Sequence, residues 1–212
     1  VDISRGFLKD AAARIAGDFP TLEVVAVCAD YTRPFALPAI AGPAGKTVGF
    51  FPGSTIGNFE PAAVVAFLGH CGRLLGPGAE MLIGADGKKD KAILDAAYND
   101  AAGLNAAFNL NLLHRIRSEL DSDIAVEDFA HVAFYNPAEG RVELYIESRK
   151  DQVATIAGRR FAFAAGERIH TENSYKYAIT EFRELAARAG FRALETWTDD
   201  DGKFSVHYLR RD

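Results

Sequence analysis

The chain has 212 residues, with 24 lysines and arginines against 29 aspartates and glutamates, so its formal net charge is −5. This mildly acidic balance argues against a protein that binds nucleic acid by neutralising phosphates, which needs clustered Lys and Arg. The sequence contains no run of about 18 apolar residues that would cross a membrane. Two cysteines are too few for a disulfide framework. We therefore expect a cytoplasmic monomer with no nucleic-acid partner and no membrane partner.

The N-terminal part of the sequence predicts strands that alternate with helices. Apolar residues at helical spacing predict a helix over 4–16 with Ser4 as its N-cap, and a β-branched run predicts a strand over 22–28. The next predicted elements are a strand at 47–51, a helix that begins near Pro61 and ends before Gly76, and a strand at 80–86. Alternation in units of about 30 residues is typical of a doubly wound parallel sheet with helices on both faces.

The C-terminal part predicts an antiparallel end to this sheet. A helix at 178–189 precedes a strand at 191–197, an Asp-Gly turn and a returning strand at 204–209. This order of elements resembles the end of the sheet in class I S-adenosylmethionine-dependent methyltransferases, which have a Rossmann-like α/β fold.

Between these two parts the pattern changes. Helices are predicted near 90–98 and 101–119, and strands near 131–135, 141–148 and 152–156. An α+β insertion of this size before the last helix is a frequent position for a substrate-binding lid, and it is also compatible with additional scaffold.

Two acidic residues follow predicted strand ends, where ligands bind in open α/β sheets. Asp2 can accept hydrogen bonds from a ribose diol, and Asp30 can accept from an exocyclic adenine amine with the ring of Tyr31 beside it. Each acid taken alone is equally well explained as a turn or cap residue. Together, on neighbouring strand ends, they favour an adenosine site.

The most specific stretch of the sequence is the segment 50–61. Two glycines and a proline in it bring backbone close to a ligand, while Ser54, Thr55 and Asn58 offer polar side chains at the carboxyl end of a strand. This segment and four later ones closely resemble the histidine-specific Nα-methyltransferase family. The later segments are 97–103, 108–111, 134–137 and 169–177. The resemblance runs from Val1 to Leu209.

The resemblance implies a reaction. Members of this family use S-adenosyl-L-methionine to methylate the α-amino nitrogen of L-histidine, which gives trimethylhistidine (hercynine) for ergothioneine biosynthesis. Such a methyl transfer is an in-line displacement, so it mainly requires that a neutral amine be held against the methyl carbon. We expect no covalent catalytic residue. The five histidines are scattered without metal-ligand spacing, so we expect no metal site.

The resemblance also assigns the cofactor-binding residues. Asp2 matches the acid that binds the ribose, and Asp30 matches the acid that binds the adenine amine. Tyr31 stands where the family has an aromatic ring that packs on adenine.

Five further positions match the family's substrate-binding residues. Gly53 and Asn58 line the substrate, with Asn58 directed at the amino-acid head, and Tyr98 matches a tyrosine that holds the substrate carboxylate. Glu172 and Ser174 match the pair that reads the imidazole ring. A carboxylate can accept from one ring N–H, while a hydroxyl serves the other nitrogen as donor or acceptor.

The resemblance divides the chain into three regions and leaves alternatives open. Residues 1–86 form a partial S-adenosylmethionine-binding domain, 87–174 the inserted substrate-binding region, and 175–212 the C-terminal completion of the sheet. In the family a Gly-rich motif and further substrate-binding tyrosines precede the acid that Asp2 matches. This chain contains neither, so we expect the N-terminal part of the domain to be absent and the isolated chain to bind the cofactor poorly. The alternatives are an inactive fragment that works as a binding module and a methyltransferase of this fold for another amine.

Overall fold

The computed structural model describes residues 1–39 and 45–212. The helices in these ranges are α1 (Arg5–Asp18), α2 (Pro61–Leu75), α3 (Lys91–Tyr98), α4 (Leu104–Glu119) and α5 (Ile179–Arg188). The strands are β1 (Val48–Phe51), β2 (Glu80–Asp86), β3 (Phe129–Asn136), β4 (Arg141–Ser148), β5 (Gln152–Ile156), β6 (Arg159–Phe163), β7 (Arg168–Tyr175), β8 (Phe191–Thr198) and β9 (Phe204–Arg211). In these same ranges no helix is both long and apolar enough to span a bilayer.

The main sheet has the strand order β1-β2-β9-β8. β1 and β2 are parallel, whereas β9 runs antiparallel to both β2 and β8. The antiparallel ending is confirmed, because the turn before β9 reverses the chain with Gly202 at φ 66° and Phe204 N donating to Asp199 Oδ1 at 2.8 Å. The described sheet is therefore mixed as expected, with the parallel pair β1 and β2 followed by the antiparallel pair β9 and β8.

The predicted strand over 22–28 is wrong apart from its last residue. Asp2 and Cys28 form an isolated parallel bridge, in which Asp2 N donates to Val27 O at 3.2 Å and Ala29 N donates to Asp2 O at 3.1 Å. The preceding residues form no ladder with any strand in the described ranges, and Val25 is half exposed. A β-branched run becomes a regular strand only where a neighbour supplies hydrogen-bond partners along its length.

The first helix matches its prediction in position and differs in its cap. α1 begins at Arg5 after Ser4, but the Ser4 side chain makes no capping hydrogen bond. The backbone N–H of Ser4 instead donates to Asp2 Oδ1 at 2.7 Å. The helix also passes Gly17 and ends at Asp18, since no left-handed residue stops it there.

A second antiparallel sheet, β3-β4-β7, lies in the predicted insertion, with the hairpin β5-β6 beside it. Helices α3 and α4 pack against β3, and buried Leu113, Phe129 and Ile146 form part of a core of their own. Strands β6 and β7 were not predicted from the sequence. β7 carries five consecutive polar residues from His170 to Ser174, which lack the alternation that identifies a strand.

The two sheets meet where β7 ends. The chain continues from Tyr175 through Lys176 to Tyr177, which forms a parallel bridge with Gly87 directly after β2. Tyr177 N donates to Asp86 O at 3.0 Å and Lys176 N donates to Gly140 O at 2.9 Å. Residues at the end of β7 are therefore held over the carboxyl end of β2.

Candidate functional site

The loop after β1 is held against both sheets. Ser54 Oγ accepts a hydrogen bond from Asp86 N at 2.9 Å, which fixes the loop to the end of β2. Gly57 lies against β7, because a Cβ atom at this position would approach Tyr175 O to 2.7 Å. The segment resembling a ligand-binding loop thus lies at the carboxyl ends of β1 and β2, where ligands of open α/β folds bind.

Gly53 and Asn58, two of the predicted substrate-binding residues, lie on this loop. Gly53 has φ 72°, a left-handed conformation that favours glycine. Asn58 ends the short 3₁₀ turn Thr55–Asn58, and its amide is exposed. An exposed amide at this position can offer a donor and an acceptor to a polar ligand.

Tyr98 and Ser174 come together although they lie on different elements. The Tyr98 hydroxyl, at the end of α3, is 2.8 Å from Ser174 Oγ on β7. Lys176 Nζ donates to both oxygens, at 2.7 Å to Tyr98 and 2.9 Å to Ser174, and forms an ion pair with Asp86 Oδ2 at 2.8 Å. We call these four residues the Lys176 cluster.

Sequence reasoning missed Lys176 and Asp86 as members of this cluster. The available signal was the period of two along an extended chain, which puts Glu172, Ser174 and Lys176 on one face. Lys176 is 2% exposed, which is rare for a lysine without a charge partner. Asp86 supplies that charge from the end of β2.

Glu172 lies next to this cluster with its carboxylate available. It is half-buried on β7, and burial raises the pKa of its carboxyl while the nearby charge of Lys176 acts to lower it. No hydrogen bond to a neighbour in the described parts of the chain contributes to this shift. A half-buried carboxylate without such a partner can accept a hydrogen bond from a ligand.

Neighbouring contacts fix the backbone around Tyr98. His131 Nε2 lies 2.9 Å from Tyr98 O, and Asn109 Nδ2 lies 2.9 Å from His131 Nδ1. Because the Asn109 amide nitrogen donates to Nδ1, Nε2 carries the proton that His131 donates to Tyr98. Asn99 Nδ2 also donates to Ala133 O at 3.0 Å. These bonds attach the end of α3 to β3 and orient the tyrosine.

The three predicted cofactor residues lie close together. The bridge between Asp2 and Cys28 brings Asp2 near the turn that contains Asp30. Burial raises the pKa of the Tyr31 phenol, and the negative charges of Asp2 and Asp30 raise it further. Both acids are therefore within electrostatic reach of the same hydroxyl.

Asp30 and Tyr31, the two residues assigned to adenine, also make contacts within the protein. Asp30 Oδ1 accepts from Thr32 Oγ1 at 2.6 Å and from Thr32 N at 2.9 Å, and the side-chain bond lowers the pKa of Asp30. The ring of Tyr31 packs edge-on against Phe51 and Phe67, at centroid distances of 5.7 and 6.0 Å. Asp30 and Tyr31 thus also have the structural roles of a turn acid and a core aromatic.

Solved structures define the class of fold. The chain is similar to an S-adenosylmethionine-dependent methyltransferase from Clostridium acetobutylicum, with a TM-score of 0.50 and 8% identity over 99% of this chain and 72% of that one. It is also similar to the CcbJ methyltransferase from Streptomyces caelestis, with a TM-score of 0.51 and 13% identity over 99% and 77% of the two chains. These likenesses establish a class I S-adenosylmethionine-dependent methyltransferase fold.

Sequence comparison then defines the family. The model of the SAM-dependent histidine-specific methyltransferases matches residues 1–211, and the chain belongs to this family. It is 38% identical to a histidine N-alpha-methyltransferase from Mycolicibacterium smegmatis and 34% identical to one from Mycobacterium tuberculosis, each over 208 residues and 97% of this chain. The chain spans 64% of the length of these two relatives.

Proposed function

We propose that the whole protein transfers methyl groups from S-adenosyl-L-methionine to the α-amino nitrogen of L-histidine. Up to three transfers give trimethylhistidine (hercynine), which serves ergothioneine biosynthesis. Family membership and the names of the two mycobacterial relatives support this reaction. A relative from Neurospora crassa, 30% identical over 75% of this chain and 18% of its own, is an ergothioneine biosynthesis protein.

The observation that carries the proposal is the arrangement of Glu172 beside Ser174 on β7. A neutral imidazole has one N–H donor and one lone-pair acceptor, and a carboxylate next to a hydroxyl can complement both. Glu172 accepts from the ring N–H in this proposal, and Ser174 contacts the other nitrogen. The contact of Ser174 with Tyr98 at 2.8 Å supports a fixed hydroxyl position.

The loop that contains Gly53 and Asn58 holds the other end of the substrate. The Asn58 amide is exposed at the junction of the sheets, where it can hydrogen-bond the amino-acid head. An α-amino group titrates near pH ~8, so a fraction is neutral without a strong base. Orientation of that lone pair is then the main task of the protein.

Among the three cofactor residues, Asp2 is the best suited to bind the nucleoside part of the cofactor. Asp2 Oδ1 accepts a hydrogen bond from Ser4 N, and Oδ2 can then accept one from a ribose hydroxyl. Asp30 pairs through Oδ2 with Arg33 at 3.2 Å, and exposed pairs of this kind are weak enough for a ligand amine to compete. S-Adenosylmethionine supplies an electrophilic sulfonium methyl group when bound.

A time course with the whole protein, S-adenosylmethionine and L-histidine tests the proposal. Mass spectrometry should detect mono-, di- and trimethylhistidine in turn. A strong preference for another amine would favour a different substrate within this fold. Absence of transfer to every amine offered, with the cofactor bound, would favour a binding module.

A further inference from the structure

Lys176 is a buried cation whose three protons are all used. Its side chain is 1% exposed, and its Nζ contacts Asp86 Oδ2, the Tyr98 hydroxyl and Ser174 Oγ at 2.7 to 2.9 Å. An ammonium group donates three hydrogen bonds and accepts none. Both hydroxyl oxygens therefore accept from Lys176, and neither can donate to it.

This fixed direction determines the polarity of Ser174. Tyr98 and Ser174 also share a hydrogen bond of 2.8 Å, in which the phenol donates to the alkyl hydroxyl as the stronger donor. Ser174 Oγ then accepts from Lys176 and from Tyr98, which fills both of its lone pairs. Its own proton is the only polar function that it has left for a ligand.

We propose that Lys176 is a positioning residue that makes Ser174 a hydrogen-bond donor toward the substrate ring. The inference rests on the proposed function, because it concerns how the same site reads imidazole. The ring nitrogen that faces Ser174 must carry a lone pair, and the ring N–H must face Glu172. The Lys176 cluster thus selects neutral histidine in one orientation and gives no such benefit to a ring without a lone-pair nitrogen.

Lys89 provides a matched control for this role. It is a second lysine that pairs with the same carboxylate, through Asp86 Oδ1, and its side chain is 16% exposed. None of its hydrogen bonds in the described parts of the chain reaches Tyr98 or Ser174. Replacing Lys89 removes a positive charge beside Asp86 and leaves the polarity of both hydroxyls unchanged.

The experiment compares L-histidine with L-phenylalanine as ligands of the whole protein. KM and kcat for histidine, and the inhibition constant of phenylalanine, are measured for wild type, Lys176→Met, Ser174→Ala, the double variant and Lys89→Met. We expect Lys176→Met to raise the KM for histidine about tenfold, with a smaller change in kcat. The reason is that Ser174 is no longer held as a donor to the ring nitrogen. In the double variant, Ser174→Ala should add little to the rise in KM caused by Lys176→Met, because both changes remove the same contact between Ser174 and the ring. Phenylalanine inhibition and the Lys89→Met enzyme should change little.

Melting temperatures show whether Lys176→Met is folded. Tyr98→Phe is the second variant, because it keeps the ring and removes the hydroxyl, which accepts from Lys176 and donates the proton that fills the second lone pair of Ser174. A loss of affinity confined to histidine supports the inference. A uniform loss for histidine and phenylalanine in Tyr98→Phe contradicts it and favours the carboxylate role of Tyr98.

The same data separate this inference from the proposed function. A wild-type protein that does not methylate histidine overturns the proposed function. An active wild type with a folded Lys176→Met variant whose KM for histidine is unchanged overturns only the role of Lys176. Additive effects of Lys176→Met and Ser174→Ala would also contradict it.

Discussion

The hydroxyl of Tyr98 lies 2.8 Å from Ser174 Oγ, although the two residues are 76 positions apart in the chain. This contact joins the end of α3 to β7, and Lys176 connects it to Asp86 at the end of β2. The candidate substrate site is therefore built where the second sheet meets the main sheet. The side chains that would contact a ligand ring here are positioned by both sheets.

Replacing Glu172 with Ala should reduce histidine specificity. The change leaves a buried imidazole N–H without its acceptor, which costs roughly 1 to 3 kcal/mol, so kcat/KM should fall about 10- to 100-fold or more. Steady-state kinetics with L-histidine measure this effect. Phenylalanine binding should change less, and cofactor affinity should hardly change. Equal losses for cofactor and all amino acids would show that Glu172 is a structural residue.

The stability of the protein should depend on pH through Glu172. Burial raises the pKa of this carboxyl above its unfolded value, so deprotonation costs more in the folded state. Stability is then lost as pH rises from the unfolded pKa through the folded one. We expect Glu172→Gln to melt at a higher temperature than wild type at pH 7, with the difference shrinking toward pH 4. A lower melting temperature for Glu172→Gln at pH 7 would contradict this.

His207 should have the opposite dependence. It is fully buried between Ser205 and Thr196, and burial lowers its pKa to about 4. Its contribution is present above the unfolded pKa near 6.5 and is lost as pH falls toward 4, by at most about 3 kcal/mol. Melting curves between pH 7 and 4 should decline more steeply for wild type than for His207→Gln. Parallel curves would show that the pKa of His207 is not lowered in the folded state.

Gly57→Ala should disturb the candidate substrate loop. A Cβ atom would lie 2.7 Å from Tyr175 O, and overpacking of this kind costs roughly 1 to 3 kcal/mol. We expect a lower melting temperature and a higher KM for histidine, because the loop that carries Asn58 must move away from β7. Gly17→Ala is a suitable control, since no atom in the described ranges lies within 4 Å of its Cβ position. Identical kinetics for Gly57→Ala and wild type would argue against a substrate role for this loop.

Asp2→Asn should weaken cofactor binding selectively. An amide keeps the shape of Asp2 but loses the second carboxylate oxygen that would accept from the ribose diol. Calorimetry with S-adenosylhomocysteine should give an affinity at least about tenfold lower than that of wild type. The effect on histidine recognition should be small. An unchanged affinity would assign Asp2 to its turn contact with Ser4 alone.

Local sequence patterns predicted much of the fold. They failed where the structure depends on a neighbouring strand that is distant in sequence. The helix from Pro61 and the strand at 80–86 were correct because apolar periodicity and end signals agree there. The run at 22–28 has strong strand propensity, but only Cys28 finds a partner in the described chain. β7 was missed because its uninterrupted run of polar residues hides the alternation.

The site was predicted through the family's motifs, and its supporting residues were not. The contact between Tyr98 and Ser174 agrees with their assignment to one site, while their individual roles and that of Asn58 stay predictions. A lysine in a sequence normally indicates a solvated surface, so the period of two that places Lys176 on the same face as Ser174 was not enough to identify it. Its burial follows from the ion pair with Asp86, which only the tertiary fold creates.

A competition among amino acids tests the proposed reaction most directly. The whole protein is incubated with methyl-labelled S-adenosylmethionine and an equimolar mixture of the common amino acids, and the products are separated by mass spectrometry. We expect the label to enter histidine almost exclusively and to end in trimethylhistidine. Labelling of another amino acid in preference to histidine would contradict the proposed reaction.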